Sequence, residues 1–106
     1  MITTTTTFLL KTRLSHQEAR KLFLSTAANY LGVPGLLHKA YVLAEDGLTV
    51  GGVYLWRSRE DAEAVYTEAW RKFVSEKYGT EPKLAFYESP VVVNNQTGEV
   101  IDDDVR

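Results

Sequence analysis

The chain has no cysteine. That excludes disulfides, thiolate nucleophiles and cysteine-ligated metals. It also has no excess of basic charge. Twelve Lys and Arg stand against 14 Asp and Glu, and the net charge is −2. Nucleic-acid binding needs a concentrated basic footprint, and no block of Lys and Arg supplies one. No apolar run approaches the ~20 residues that cross a bilayer, so no membrane segment is expected. Met1-Ile2 and the five threonines after it carry neither the basic start nor the apolar stretch of a signal peptide. These absences predict a soluble cytoplasmic protein. What is present is ordinary for a globular chain: 106 residues, 44% hydrophobic and 25% charged. One domain over 1–106 is expected, its core thin because a domain this small buries only about two-thirds of its unfolded surface.

Threonine is β-branched, and Phe8-Leu9-Leu10 supplies an apolar segment, so a strand is expected over about 5–13. The first half of the threonine run reads as a fraying low-complexity end. Ser15 and Glu18 have the spacing of a capping box, in which hydroxyl and carboxylate each satisfy one free amide at a helix start. Ala19, Leu22, Phe23, Thr26, Ala27, Tyr30 and Leu31 then recur at helical spacing, and Gly32 and Pro34 stop the helix at about 31.

Two strand-like runs flank Asp46-Gly47, a strong two-residue hairpin signal. With those two as the central turn residues, Leu43 faces Val50, Tyr41 faces Gly52, Lys39 faces Tyr54 and Leu37 faces Trp56. All four pairs share one side of the sheet, bulky and aromatic with one amine. Leu36, His38, Ala40, Val42, Gly51, Val53 and Leu55 take the other side, mostly small and aliphatic. The bulky side is expected beneath the helices, where large side chains fill or line the gap.

Ser58 and Asp61 give a second helix start. Ala62, Val65, Tyr66, Ala69, Trp70 and Phe73 form an apolar stripe over one helix at about 59–78, with Gly79 as its cap. Leu84 to Glu88 reads as a strand, Pro90 interrupts it, and Val91 to Val93 resumes as a short extra strand. Asn94 to Gly98 is a turn. The structured core is expected over about 5–93, and residues 102–106, with the acids Asp102, Asp103 and Asp104, read as a mobile tail. Three adjacent carboxylates on such an end are usually just solvated, so no metal site is expected there.

The order is β-α-β-β-α-β with a short C-terminal strand. That is an α+β, ferredoxin-like arrangement, an antiparallel four-stranded sheet with both helices on one face. The other face is left apolar and uncovered. A second copy of the chain is its simplest cover, so a homodimer is expected.

Pro34-Gly35-Leu36-Leu37 with Lys39 and Tyr41, and the run Gly51-Gly52-Val53-Tyr54-Leu55-Trp56, resemble the YdhR-like monooxygenases. These sit in the dimeric α/β-barrel superfamily with the antibiotic-biosynthesis monooxygenases. The resemblance covers about Phe8 to Val93. It implies two ferredoxin-like subunits packed sheet to sheet, each with a pocket between its sheet and its helices. It also implies O₂-dependent oxidation of polycyclic phenols or quinols without a cofactor, as some superfamily relatives perform. None of the matching residues is a recognised catalytic dyad. Other branches bind haem or degrade chlorite through a histidine, and only His16 and His38 offer one here.

Lys39 and Tyr54 are the catalytic candidates. An ammonium beside a phenol favours a phenolate, its own neighbour's or a substrate's. The structural alternative is a lysine stem that snorkels along Tyr54 into water or a dimer salt bridge. Tyr41, Gly52, Trp56, Tyr66, Trp70 and Tyr87 are the substrate-binding candidates: rings for an aromatic ligand, and a glycine that leaves bare backbone for one to lie on. Each also reads as plain core or sheet packing. His38 as a general base would need an orienting carboxylate, for which Glu88 is the only strand candidate. Three functions follow. The first is a cofactor-free oxygenase for a hydrophobic aromatic or quinol-like molecule. The second is a small-molecule-binding or stress-response dimer with the same pocket. The third is a structural dimer, favoured if the pocket is too small for a bicyclic ligand.

Overall fold

The computed structural model describes residues 1–103. Strand β1 is Ile2–Leu9 and helix α1 is His16–Ala27, followed by a 3₁₀ turn at Ala28–Tyr30. Strands β2 and β3 are Leu36–Leu43 and Thr49–Trp56. Helices α2 and α3 are Arg59–Val65 and Glu68–Tyr78. Strand β4 is Lys83–Glu88, and a last hairpin pairs β5, Val91–Asn94, with β6, Glu99–Asp102. The main sheet is four-stranded in the order β2-β3-β1-β4, antiparallel at every pairing. This is the ferredoxin-like β-α-β-β-α-β topology.

The threonine run does not fray. Thr3 to Thr7 lie in β1 and pair with β3 on one side and β4 on the other. Their alternation is invisible in a homopolymer but plain in space. Thr4 and Thr6 point under the helices and are buried, while Thr3, Thr5 and Thr7 take the open face. The strand ends at Leu9, four residues before the expected limit, because its partner β3 runs out at Thr49.

The β2–β3 register holds from His38 to Leu43, including Lys39 opposite Tyr54 and Tyr41 opposite Gly52. The turn differs from expectation. The Gly47 amide donates to the Ala44 carbonyl, so Glu45 and Asp46 are central and Gly47 follows in the left-handed region at φ 74°. The loop is wider but keeps the same midpoint, so the pairing is unchanged. At the far end the register shifts. Leu36, not Leu37, lies opposite Trp56, and the irregularity turns Leu37 outward. Leu36 joins the helix-side cluster of Tyr54, Trp56 and Ala62. The bulky side therefore meets the helices, as expected, with Leu36 in the place given to Leu37.

The expected single helix over 59–78 is two. Thr67 caps the second with its own side chain, accepting from the Trp70 amide at 3.2 Å. Tyr66 leaves the helical path and reaches down to Thr4, 2.6 Å from hydroxyl to hydroxyl. The break re-aims α3: Trp70 and Val74 face the sheet, whereas Ala69 and Phe73 are exposed. Both expected caps form, the Ser15–Glu18 box on α1 and Ser58 on α2. Asp102 ends a strand and Asp103 pairs with the N-terminal ammonium, so neither belongs to a mobile tail. The rest of that tail lies outside the described residues. Among the described residues, no helix is long and apolar enough to cross a membrane.

Two glycines admit close approaches that a side chain would block. A Cβ on Gly51 would lie 1.8 Å from the Thr6 carbonyl oxygen, so β1 can approach β3 there only past a bare backbone. A Cβ on Gly35, whose φ is 77°, would lie 2.1 Å from the Asp61 carboxylate that opens α2.

The burial of Thr4 gives a direct test. Its hydroxyl accepts from Trp56 Nε1 at 2.9 Å and meets the Tyr66 hydroxyl. Thr4→Val keeps the shape and strands both partners. A buried unmade hydrogen bond costs about 1–3 kcal/mol, so urea unfolding should show a loss of that size. Thr12→Val, exposed in the loop after β1, should change stability by less than about 0.5 kcal/mol.

Candidate functional site: an amine enclosed by tyrosines

Lys39 projects from the edge strand β2 to the helix side of the sheet. Its ammonium lies over three phenol rings. The distances from Nζ to the ring centroids are 3.4 Å for Tyr30, 3.8 Å for Tyr41 and 4.6 Å for Tyr54. An ammonium is drawn to the negative face of an aromatic ring, most strongly where water is excluded. No carboxylate among the described residues pairs with it. Burial lowers its pKa from 10.5 to about 7, against the pull of the three ring faces toward the charged form. The sign for stability follows. Below about 7 the folded chain carries the full cost of a desolvated charge, and that cost is relieved as pH rises from 7 toward 10.5.

Each ring is held by a different element. Tyr30 comes from the 3₁₀ turn, and its hydroxyl accepts from Trp70 Nε1 of α3 at 3.1 Å. Tyr41 stacks on Phe23 of α1 with centroids 4.8 Å apart, and its hydroxyl meets Thr26 Oγ1 at 2.8 Å. Tyr54 is 2% exposed, stacks on Trp56 and takes the edge of Tyr66. Gly52 completes the floor. A Cβ there would lie 3.0 Å from the Tyr54 ring and 3.1 Å from Lys39 Cε.

Tyr54 and Tyr41 are held away from the phenolate form. Burial raises the pKa of Tyr54 far above its ordinary value, with Tyr30 and Tyr66 adding to the rise. Burial likewise raises Tyr41, against a smaller opposing effect of its Thr26 hydrogen bond. The expectation that the amine ionises Tyr54 is thus reversed. The amine sits over the ring face and not at the oxygen, and desolvation penalises the phenolate.

The free space left in the cleft is about 10 Å³, room for about one water. Lys39, Tyr54, Tyr41, Gly52 and Trp70 all line it. Trp56 and Tyr66 stand behind Tyr54 as its packing and do not reach the space. Tyr87 is elsewhere. It pairs with Thr3, so its side chain points to the open face, 56% exposed. His38 shares that exposed face on β2, and Glu88 lies on β4 at the opposite edge of the sheet, so the two make no acid–base pair. Sequence reasoning missed Tyr30, Thr6, Phe73 and Lys77 as lining residues. Tyr30 carried a signal, since it belongs to the apolar stripe that begins at Ala19. Lys77 carried none, being one exposed lysine on a charged helix.

No family model matches the chain, and no curated protein matches it. Solved structures do. One is a monooxygenase from the gene ActVA-Orf6 of Streptomyces coelicolor, in complex with nanaomycin D: 19% identity, 83% of this chain, 86% of that chain, TM-score 0.64. Another is SnoaB of Streptomyces nogalater, a cofactor-independent oxygenase: 13% identity, 83% of this chain, 91% of that chain, TM-score 0.61. A third comes from Deinococcus radiodurans and is described as an antibiotic biosynthesis monooxygenase: 16% identity, 89% of this chain, 97% of that chain, TM-score 0.64. At these identities the likeness is one of fold, and the chain has the ferredoxin-like fold shared by these monooxygenases.

Proposed function

We propose that this protein is a cofactor-independent monooxygenase of the YdhR-like branch, a cytoplasmic homodimer of single-domain subunits acting on a hydrophobic aromatic or quinol-like molecule. The observation that carries this reading is the half-buried, unpaired amine of Lys39 among three tyrosines. The YdhR-like assignment rests on Pro34-Gly35-Leu36-Leu37 and on Gly51 to Trp56. Both segments have a physical role: Gly35 admits Asp61, and Gly51 admits β1.

The chemistry follows from the pKa. A base near neutrality has a usable neutral fraction at neutral pH and still binds the proton it takes. Lys39 removes a proton from an acidic phenol, or from the activated methylene of an anthrone-like ring. The resulting ammonium lies beside the new anion and stabilises it. The anion passes an electron to O₂, the radical pair joins as a hydroperoxide, and loss of water leaves a ketone. A methylene and O₂ become a carbonyl and water, with every electron supplied by the substrate. Tyr54 and Tyr41 stay protonated and act as walls and hydrogen-bond donors.

A purely structural dimer is the second reading, favoured by the small volume left in the cleft. What fills the cleft weighs against it. An apolar side chain would close the space without the cost of a desolvated amine.

The homodimer rests on the open sheet face, where Val42, Val53 and Tyr87 are 42%, 39% and 56% exposed. Sedimentation at micromolar concentration should give twice the chain mass, with at least ~1,000 Å² buried between copies. A monomer would end the barrel.

Oxygen uptake with a panel of anthrones and quinols tests the activity. The rate at low substrate concentration, which reports the free protein, should rise with pH through about 7 as the enclosed Lys39 loses its proton. Lys39→Met and Lys39→Arg should each lower it by roughly 10²–10⁴-fold, the usual loss of a general base. Arg keeps the charge but cannot deprotonate, so an active Lys39→Arg would exclude the base role.

A further inference from the structure

The site contains its own occupant. Gly52 leaves a bare patch of backbone on the helix side of β3. The lysine stem fills it, with Cε 3.1 Å from where a Cβ would stand. The rings of Tyr30, Tyr41 and Tyr54 close around the end of the same side chain. What remains admits about one water. Yet the side chain is not tied down. It has no ion pair with any described residue, and it is held by ring faces alone. Its strand lies at the sheet edge, so the stem has an exit that crosses no neighbouring strand.

We propose that Lys39 is a displaceable plug, and that a flat aromatic ring enters by exchanging places with its stem over Gly52. This rests on the reading of the cleft as a ring-binding site and adds the gate to it. The walls fit such an exchange. Tyr30 is braced by Trp70, Tyr41 by Phe23 and Thr26, and Tyr54 by Trp56 and Tyr66. Rigid rings around one flexible chain form a preorganised slot whose only mobile part is its stopper. A ring that replaces the stem regains the same aromatic faces, stacked instead of cation-capped. The displaced amine stays tethered at the rim, where Lys77 and Phe73 mark the mouth. From there it can return to an acidic group on the bound ring.

Binding without turnover tests this on the full-length protein. The probe is 2-naphthol, at a pH well below its own pKa, so that it is neutral and no ion pair contributes. By calorimetry, Lys39→Ala should bind it roughly ten-fold tighter than the wild type, because the plug is gone. Lys39→Met should bind no better than the wild type, because an unbranched chain of similar length refills the slot. Equal affinities for Lys39→Ala and wild type would overturn the proposal. A gain in Lys39→Met equal to that in Lys39→Ala would also overturn it, since charge and not space would then be the barrier. A measurement on the wild type covers a failure of either variant to fold. Ring currents should shift the Lys39 side-chain proton resonances strongly upfield in the free protein, and saturating 2-naphthol should abolish that shift. Persistence of the shift at saturation would contradict displacement. These readouts are separate from oxygen uptake. Displacement without uptake leaves the gate and removes the oxygenase, and uptake without displacement does the reverse.

Discussion

The missing Cβ of Gly52 is the constraint on which the candidate site depends. A Cβ there would lie 3.0 Å from the Tyr54 ring and 3.1 Å from Lys39 Cε, so one of the two would have to give by a few tenths of an ångström. With glycine there, an amine can lie inside a tyrosine box and not beside it. Gly51 next to it serves the sheet. It lets the Thr6 carbonyl approach, which sets β1 against β3 and fixes where Thr4 and Thr6 stand. One dipeptide thus admits the neighbouring strand on one side and the lysine on the other.

The rings around the amine can be rigid because their polar tips are satisfied. Buried tyrosines and tryptophans need partners for their hydroxyl and indole groups. Threonines supply them. Thr4 serves Trp56 and Tyr66, and Thr26 serves Tyr41. Tyr30 and Trp70 satisfy each other. The helix break at Tyr66 belongs to this wiring, since the residue that leaves the helical path is the one that meets Thr4. The amine is the exception. It has ring faces but no hydrogen-bonding counter-ion among the described residues, and this sets it apart as the group able to move or to exchange a proton.

The fold was largely legible in the chain because its signals are local. Ser15 with Glu18, Ser58, Gly79 and the hairpin loop each act within a few residues. A hairpin loop misjudged in type still gave the right partners for Lys39 and Tyr41, since its midpoint did not move. What escaped was set at a distance. The alternation of Thr3 to Thr7 has no trace in a homopolymer; only the neighbours in β3 and β4 decide which threonines are buried. The shift at Leu37 and the break at Tyr66 answer contacts with Trp56 and Thr4, far away in sequence. Of the candidate site, Lys39, Tyr54, Tyr41 and Gly52 followed from register arithmetic. Tyr87 failed the same arithmetic once β4 paired with β1, because that pairing turns it to the open face. The protonation of Tyr54 could not be read at all, since it depends on how deeply the ring is buried.

Everything in the site turns on Lys39 being a desolvated amine with no counter-ion among the described residues. Titrating its side chain by ¹³Cε and ¹⁵Nζ resonance in the wild-type protein measures this directly. The midpoint should lie near 7, set by burial. A midpoint near the ordinary lysine value of about 10.4 would contradict it, showing an amine that spends its time in water outside the tyrosine box.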